Sequence, residues 1–239
     1  MKTRDVTYEH DGKTLTGYLA DGSADRRAPG ILVCHQGGGL TEHTRERARM
    51  LAELGYVAFA LDLYGEVASS RDQAMALIST LSKNPPLLHG RVKAGLETLK
   101  SQANVDTDRL AAIGYCFGGA TVLELARMGA GVRCVVAFHP GLTDLPEKDD
   151  RKITCKVMVC AGAEDPLIPA AARQRLIELM EGAHADWQLL VYGGAGHSFT
   201  DRSGDAFGMD GFRYHQPTDA RSWAAMRALF DETLGAGKF

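Results

Sequence analysis

The chain has 239 residues and 45% hydrophobic content, which suits one globular domain with a sizeable core. Its charge is mixed and sums to −3, so neither a nucleic acid nor a polyanion is expected as a partner. The N-terminus, Met1-Lys2-Thr3-Arg4-Asp5, lacks an apolar signal segment and no apolar run is long enough to span a bilayer, so no membrane association and a cytoplasmic location are expected.

Residues 6–9 and 14–19 read as an edge hairpin closed at Asp11-Gly12, a strong turn signal. A polar loop over 22–29 precedes Ile31-Leu32-Val33-Cys34, a continuous apolar run expected of a buried strand, which ends in His35-Gln36-Gly37-Gly38-Gly39. Helical spacing over 42–54 stops at Gly55. The next buried strand, 56–61, leads to Asp62-Leu63-Tyr64-Gly65. Helices are predicted over 70–83, broken at Asn84-Pro85-Pro86, and over 88–101. Further strands are expected at 109–113, 132–138, 157–162 and 189–192, with helices beginning near Ala120 and over 170–181 and 222–234. Strands alternating with helices imply parallel crossovers, hence an α/β fold whose mostly parallel sheet carries helices on both faces. No internal repeat or low-complexity linker argues for a second domain. Cys34, Cys134, Cys155 and Cys160 lie in apolar, strand-like runs and read as reduced core thiols.

The organising stretch runs from Arg109 to Ala120: a short apolar strand, then Gly114-Tyr115-Cys116-Phe117-Gly118-Gly119, then a helix. This is the nucleophile-elbow pattern with cysteine in the serine position. A sharp strand-to-helix turn leaves no room for side chains two residues either side of the nucleophile, hence the glycines. The turn also places a thiolate at a helix N-terminus, where free N–H groups favour negative charge. The Phe117 N–H, directly after the cysteine, is a natural oxyanion donor. Two later strands end in loops with further chemistry: one carries Glu164-Asp165-Pro166, the other Gly193-Gly194-Ala195-Gly196-His197-Ser198-Phe199. The order nucleophile, acid, histidine is that of an α/β-hydrolase triad, with His197 as base and either Asp165 or the adjoining Glu164 as its orienting acid.

Together these stretches resemble the dienelactone hydrolase family, through Gly114-Tyr115-Cys116-Phe117-Gly118-Gly119, Asp62-Leu63-Tyr64 and Gly196-His197-Ser198-Phe199. The resemblance spans nearly the whole chain and implies a single α/β-hydrolase domain with a Cys116-His197-Asp165 triad. It also selects Asp165, followed by Pro166, as the acid, and implies Gly37 N–H, beside Gln36, as the second oxyanion donor.

The departures from that family bear on substrate. The family carries a glutamate where this chain has Gln36, and that glutamate takes part in activating the resting cysteine. Arg71 matches a carboxylate-binding arginine locally, and equally fits an ordinary helix-surface arginine. The tyrosine and tryptophan expected after it are replaced by Met75 and Ile78, and a second substrate-binding arginine by Asp201, with Arg202 one residue displaced. Ser198, next to the histidine, completes the expected pocket. A pocket so altered implies a more neutral, broader ester or lactone than a muconate lactone. The segment 205–219, with Phe207, Met209, Phe212, Tyr214 and His215, reads either as a rim or lid loop or as a surface excursion packed on the sheet.

No metal-ligand motif and no dinucleotide fingerprint occurs, so no cofactor is expected. The sequence points to a hydrolase of carboxylic esters or lactones working through an acyl-enzyme. Two alternatives are attack by the same cysteine on phosphotriesters, as members of this family are known to do, and a non-catalytic binding protein that kept the fold. A homodimer is an expectation from the size class.

Overall fold

The N-terminal hairpin forms in the computed structural model of the chain, which describes residues 1–142, 151–203 and 208–235. β1 (Lys2–His10) and β2 (Lys13–Asp21) pair antiparallel, with Lys2 opposite Asp21 and His10 opposite Lys13. Asp11 and Gly12 close the hairpin with φ of 52° and 69°, the left-handed values that a two-residue type I′ turn requires. Both strands exceed their apolar cores because backbone pairing carries polar flanks into the ladder, which hydrophobic periodicity does not report.

The remaining strands are β3 (Ala28–Cys34), β4 (Val57–Leu61), β5 (Val105–Tyr115), β6 (Cys134–Phe138), β7 (Lys156–Gly162) and β8 (Asp186–Tyr192). They complete one eight-stranded sheet in the order β1-β2-β4-β3-β5-β6-β7-β8. From β4 to β8 every pairing is parallel, while β1 and β2 join antiparallel at one edge. β3, β4 and β6 are buried at every position, as a sheet covered on both faces demands.

Six helices supply that cover: α1 (Glu42–Glu53), α2 (Arg71–Ser82), α3 (Pro85–Lys100), α4 (Phe117–Arg127), α5 (Ala170–Gly182) and α6 (Gln216–Leu234). Alternate residues of one strand feed opposite cores. Leu32 and Phe59 pack with Leu96 of α3, Val122 of α4 and Leu176 of α5. Ile31 and Val33 join Leu51 of α1 and Met226 and Phe230 of α6 on the other face. No helix among the described residues is long and apolar enough to cross a membrane.

Three helix starts differ from the periodicity reading, each for a local reason. α3 begins at Pro85 and not at residue 88, because Asn84 caps it, accepting from Leu87 N at 3.3 Å. The two prolines read as a breaker occupy the first helical positions, where no intrahelical N–H is lost. α4 begins at Phe117, immediately after the cysteine. α6 begins at Gln216, with Pro217 in its first turn, so the end of segment 205–219 is helical and not irregular. Residues 205–207 of that segment, Phe207 among them, lie outside the described residues.

Candidate active site

Cys116 is the single residue between β5 and α4, and its backbone is forced into φ 53°, ψ −114°. A non-glycine residue in that region is strained, and the surroundings must over-determine it. They do so by close approach: a Cβ on Gly114 would lie 2.0 Å from the Gly118 carbonyl oxygen, and one on Gly118 would lie 2.2 Å from that of Cys34. The Cys116 N–H donates to Phe138 O at 3.0 Å, tying the turn to the neighbouring strand.

Three groups converge on Cys116 Sγ. Burial by itself would raise the thiol pKa, but the His197 imidazolium outweighs it, helped by the backbone N–H groups of Phe117 and Gly37, and the thiol is held below its ordinary range. The two amides expected to form an oxyanion hole thus both reach Cys116 Sγ. The other four cysteines are buried, and burial pushes their thiols up: Cys155 to about 11, Cys134 and Cys160 to about 12, Cys34 further still.

His197 and Asp165 sit on loops after β8 and β7, at the same edge of the sheet. His197 Nδ1 donates to Asp165 Oδ2 at 2.8 Å, and both side chains are fully buried. Asp165 Oδ1 accepts from Leu167 N at 2.8 Å, so the carboxylate is clamped by its own turn. Glu164, the alternative acid, instead pairs with Arg213 at the surface. Burial would lower the His197 pKa, but the Cys116 thiolate and the Asp165 carboxylate reverse this and raise it to about 10. With Nδ1 engaged, Nε2 is left facing the Cys116 thiol, a contact short of a regular hydrogen bond. The geometry can therefore hold a thiolate–imidazolium pair with the imidazole fixed in one orientation.

The segment after Gly208 packs on the histidine loop. His197 N donates to Gly211 O at 2.6 Å and accepts, through its carbonyl, from Arg213 N at 3.1 Å. Met209 and Phe212 line a cavity of about 1250 Å³ that opens onto Cys116. All of the expected pocket residues line it as well: Gln36, Gly37, Arg71, Met75, Ile78, Cys116, Phe117, Ser198 and Asp201. Ile78 packs directly over Gly37, where a Cβ would meet its Cδ1 at 2.8 Å. Arg71 and Met75 are exposed at the mouth. Gln36 does not turn toward the thiol as a partner; its Nε2 donates to Asp201 Oδ2 at 2.5 Å.

Several residues of the site carried no sequence signal. His35 holds the Gly37 loop, accepting from Leu63 N on Nε2 at 3.1 Å, which leaves Nδ1–H to donate to Gln36 O at 2.7 Å. The ring of His139 packs 5.1 Å from that of His197 and its Nε2 lies 2.8 Å from Thr200 Oγ1, which also reaches His43 Nε2 at 3.3 Å. Their importance arises only where three separate loops meet. His35 and His139 each directly follow a recognisable strand end.

A mostly parallel sheet covered by helices, with a strained cysteine at the turn after its central strand and an Asp–His pair on the loops after later strands, has the architecture of an α/β-hydrolase. The model of the dienelactone hydrolase family matches residues 15–234, and the chain belongs to that family of hydrolases acting on ester and lactone bonds. A solved structure named m3DLH superposes with a TM-score of 0.92 at 44% identity, over 98% of both chains. A dienelactone hydrolase-like promiscuous phosphotriesterase from metagenomic libraries superposes with a TM-score of 0.92 at 37% identity, over 98% of this chain and 99% of the other. Among curated proteins, a probable 2-oxo-3-(5-oxofuran-2-ylidene)propanoate lactonase of Bradyrhizobium is 27% identical, over 82% of this chain and 84% of its own length.

Proposed function

We propose that Cys116, His197 and Asp165 form a nucleophilic triad that hydrolyses carboxylic esters or lactones through a thioester. The observation that carries this reading is the convergence on one sulfur of an imidazolium fixed by a buried carboxylate and two backbone N–H donors. The thiolate attacks the carbonyl carbon, a C–S bond forms, and the carbonyl electron pair moves to oxygen. As sulfur moves onto carbon it releases the Phe117 and Gly37 amides, which take up the new oxyanion. Collapse of that intermediate breaks the C–O bond, and the alkoxide leaves with the proton of His197 Nε2. Neutral His197 then takes a proton from water, hydroxide attacks the thioester, and the carboxylic acid departs as the thiolate re-forms. Asp165 keeps the Nδ1 proton in place throughout, so that Nε2 is the atom that exchanges protons.

The test is turnover of an aryl ester by the wild type and by Cys116→Ala, His197→Ala and Asp165→Asn, with thermal melting as a control for folding. Cys116→Ala should be inactive, and His197→Ala should lose about three orders of magnitude or more. Mass spectrometry of the His197→Ala enzyme with substrate should show an acyl adduct on Cys116. Folded variants with wild-type rates would overturn the assignment.

A second reading moves the electrophile to phosphorus. It is favoured by the 37% identical neighbour described as a promiscuous phosphotriesterase. A neutral triester brings no charge to repel the thiolate, and its P=O fits the same pair of amides.

A further inference from the structure

Asp201 is a carboxylate buried in the cavity wall, with no Lys or Arg pairing with it among the described residues. It lies one turn beyond His197, its N–H donating to Ser198 O at 2.9 Å, and is 3% exposed. Its Oδ2 accepts from Gln36 Nε2 at 2.5 Å, and its Oδ1 accepts from Ser203 N at 2.9 Å and Ser203 Oγ at 2.7 Å. All of these donors are neutral, and no ion pair among the described residues involves Asp201. His43, nearby, is pushed down to about 4 by burial and by Arg47, so it is uncharged near neutral pH. Burial would raise the Asp201 carboxyl; the neighbouring His43, then the hydrogen bonds from Gln36 and Ser203, more than offset this and hold it below its ordinary range. Arg202, the next residue, directs its guanidinium over the Tyr214 ring, 5.9 Å away.

The wall around this carboxylate is also short of hydrogen-bond partners. Thr41 and His43 both line the cavity, and Thr41 Oγ1 and His43 Nδ1 are buried without a partner among the described residues. Buried polar groups rarely stay unsatisfied, so they mark a place where a polar group of a ligand belongs. Glu42 and Glu46 of α1 line the same cavity, Glu42 pairing with Arg49 at the surface, while Arg71, Arg127, Arg151 and Arg202 bring positive charge to other parts of the lining. Elsewhere the cavity lining includes Ala74, Ile78, Leu123, Leu142 and Leu176.

We infer that Asp201 sets substrate charge: the pocket accepts esters whose acyl chain ends in a cationic group and rejects those ending in a carboxylate. The inference rests on Cys116 being the nucleophile. Gln36 links the two: its side chain holds Asp201, and the adjoining Gly37 N–H holds Sγ, so the carboxylate is one residue contact from the reacting centre. The cost of desolvating Asp201 is met in the folded protein, so an incoming cation gains the pairing while bearing only its own desolvation. A substrate carboxylate would meet like charge at that wall.

The experiment compares three p-nitrophenyl esters: 4-(trimethylammonio)butanoate, its carbon isostere 5,5-dimethylhexanoate, and hydrogen glutarate. Each kcat/KM is divided by the ester's rate of hydroxide hydrolysis to remove inductive effects. In the wild type the cationic ester should exceed its neutral isostere by about tenfold or more, and the glutarate should fall below it by a similar factor. Asp201→Asn should bring both ratios toward one, mainly through KM, and Asp201→Glu should restore the cation preference. A wild-type ratio near one for the cationic ester overturns the inference without needing any variant to fold. Ratios that persist in Asp201→Asn overturn it too, by placing selectivity elsewhere. Turnover of the neutral ester that survives in Cys116→Ala would instead sink the nucleophile assignment, so the two failures are distinguishable.

Discussion

The ring of Phe212 lies 4.6 Å from that of His197, and the two residues also pair through their backbones in a parallel bridge. The segment after Gly208 is therefore part of the wall that keeps the imidazole in place, as well as the rim of the cavity. Phe212→Ala should leave the fold intact, since the side chain is only partly buried, and lower kcat/KM for an aryl ester by about tenfold through looser positioning of His197. Unchanged kinetics would mean that the Asp165 hydrogen bond alone orients the ring.

The thiol is held below its ordinary range and His197 is raised to about 10, which fixes the direction of the pH dependence. The ion pair forms as pH rises through the lowered thiol pKa and is lost as pH rises through the raised imidazolium pKa. The kcat/KM of an alkyl ester should therefore hold level across neutral pH and fall on both sides, with apparent values that belong to the pair. Iodoacetamide should label Cys116 at neutral pH without substrate, while the four buried thiols react slowly. A Cys116 that stays inert until an ester is added would show that Gln36 does not free the thiol from substrate control.

The elbow tolerates no side chain at two positions. Gly114→Ala would drive a methyl to 2.0 Å from the Gly118 carbonyl, and Gly118→Ala would drive one to 2.2 Å from that of Cys34. Both contacts are with backbone, which cannot rotate away. Each variant should lose about 3 kcal/mol, or roughly 6–12 °C in Tm, and activity with it. Gly129→Ala serves as a comparison for crowding, since nothing lies within 4 Å of a Cβ there. Its φ of 64° still costs something, about 1 kcal/mol. Equal melting of all three would refute the steric argument.

Phosphotriester hydrolysis, if it uses the same sulfur, needs no metal-bound hydroxide. Turnover of an activated aryl phosphotriester should survive exhaustive chelation and disappear in Cys116→Ala. The rate is expected to be modest, because the thiophosphoryl-enzyme must still be hydrolysed. Activity abolished by chelator and restored by zinc would rule out the covalent route.

The order cysteine, acid, histidine along this chain was legible because it is written in local patterns. The glycines around Cys116 mark a turn that no larger residue fits, and the strands before Glu164 and Gly193 mark loops at the ligand-binding edge of a parallel sheet. Buried strands such as β3 and β4 announce themselves by uninterrupted apolar runs, since both faces are covered. Element ends were less legible. Pro85 and Pro86 look like a break, and only the Asn84 cap shows that they open a helix. The choice between Glu164 and Asp165 is likewise tertiary, because adjacent residues on a loop point in different directions and only the fold brings one of them to His197. Gln36 and Asp201 stand 165 residues apart, and their hydrogen bond exists because the loop after β3 and the loop after β8 meet at the same end of the sheet. Local sequence thus determined where the elbow, the strands and their loops lie, through sterics and periodicity that act over a few positions. The packing of distant loops decided what surrounds them, because burial, orientation and charge balance are properties of the assembled wall.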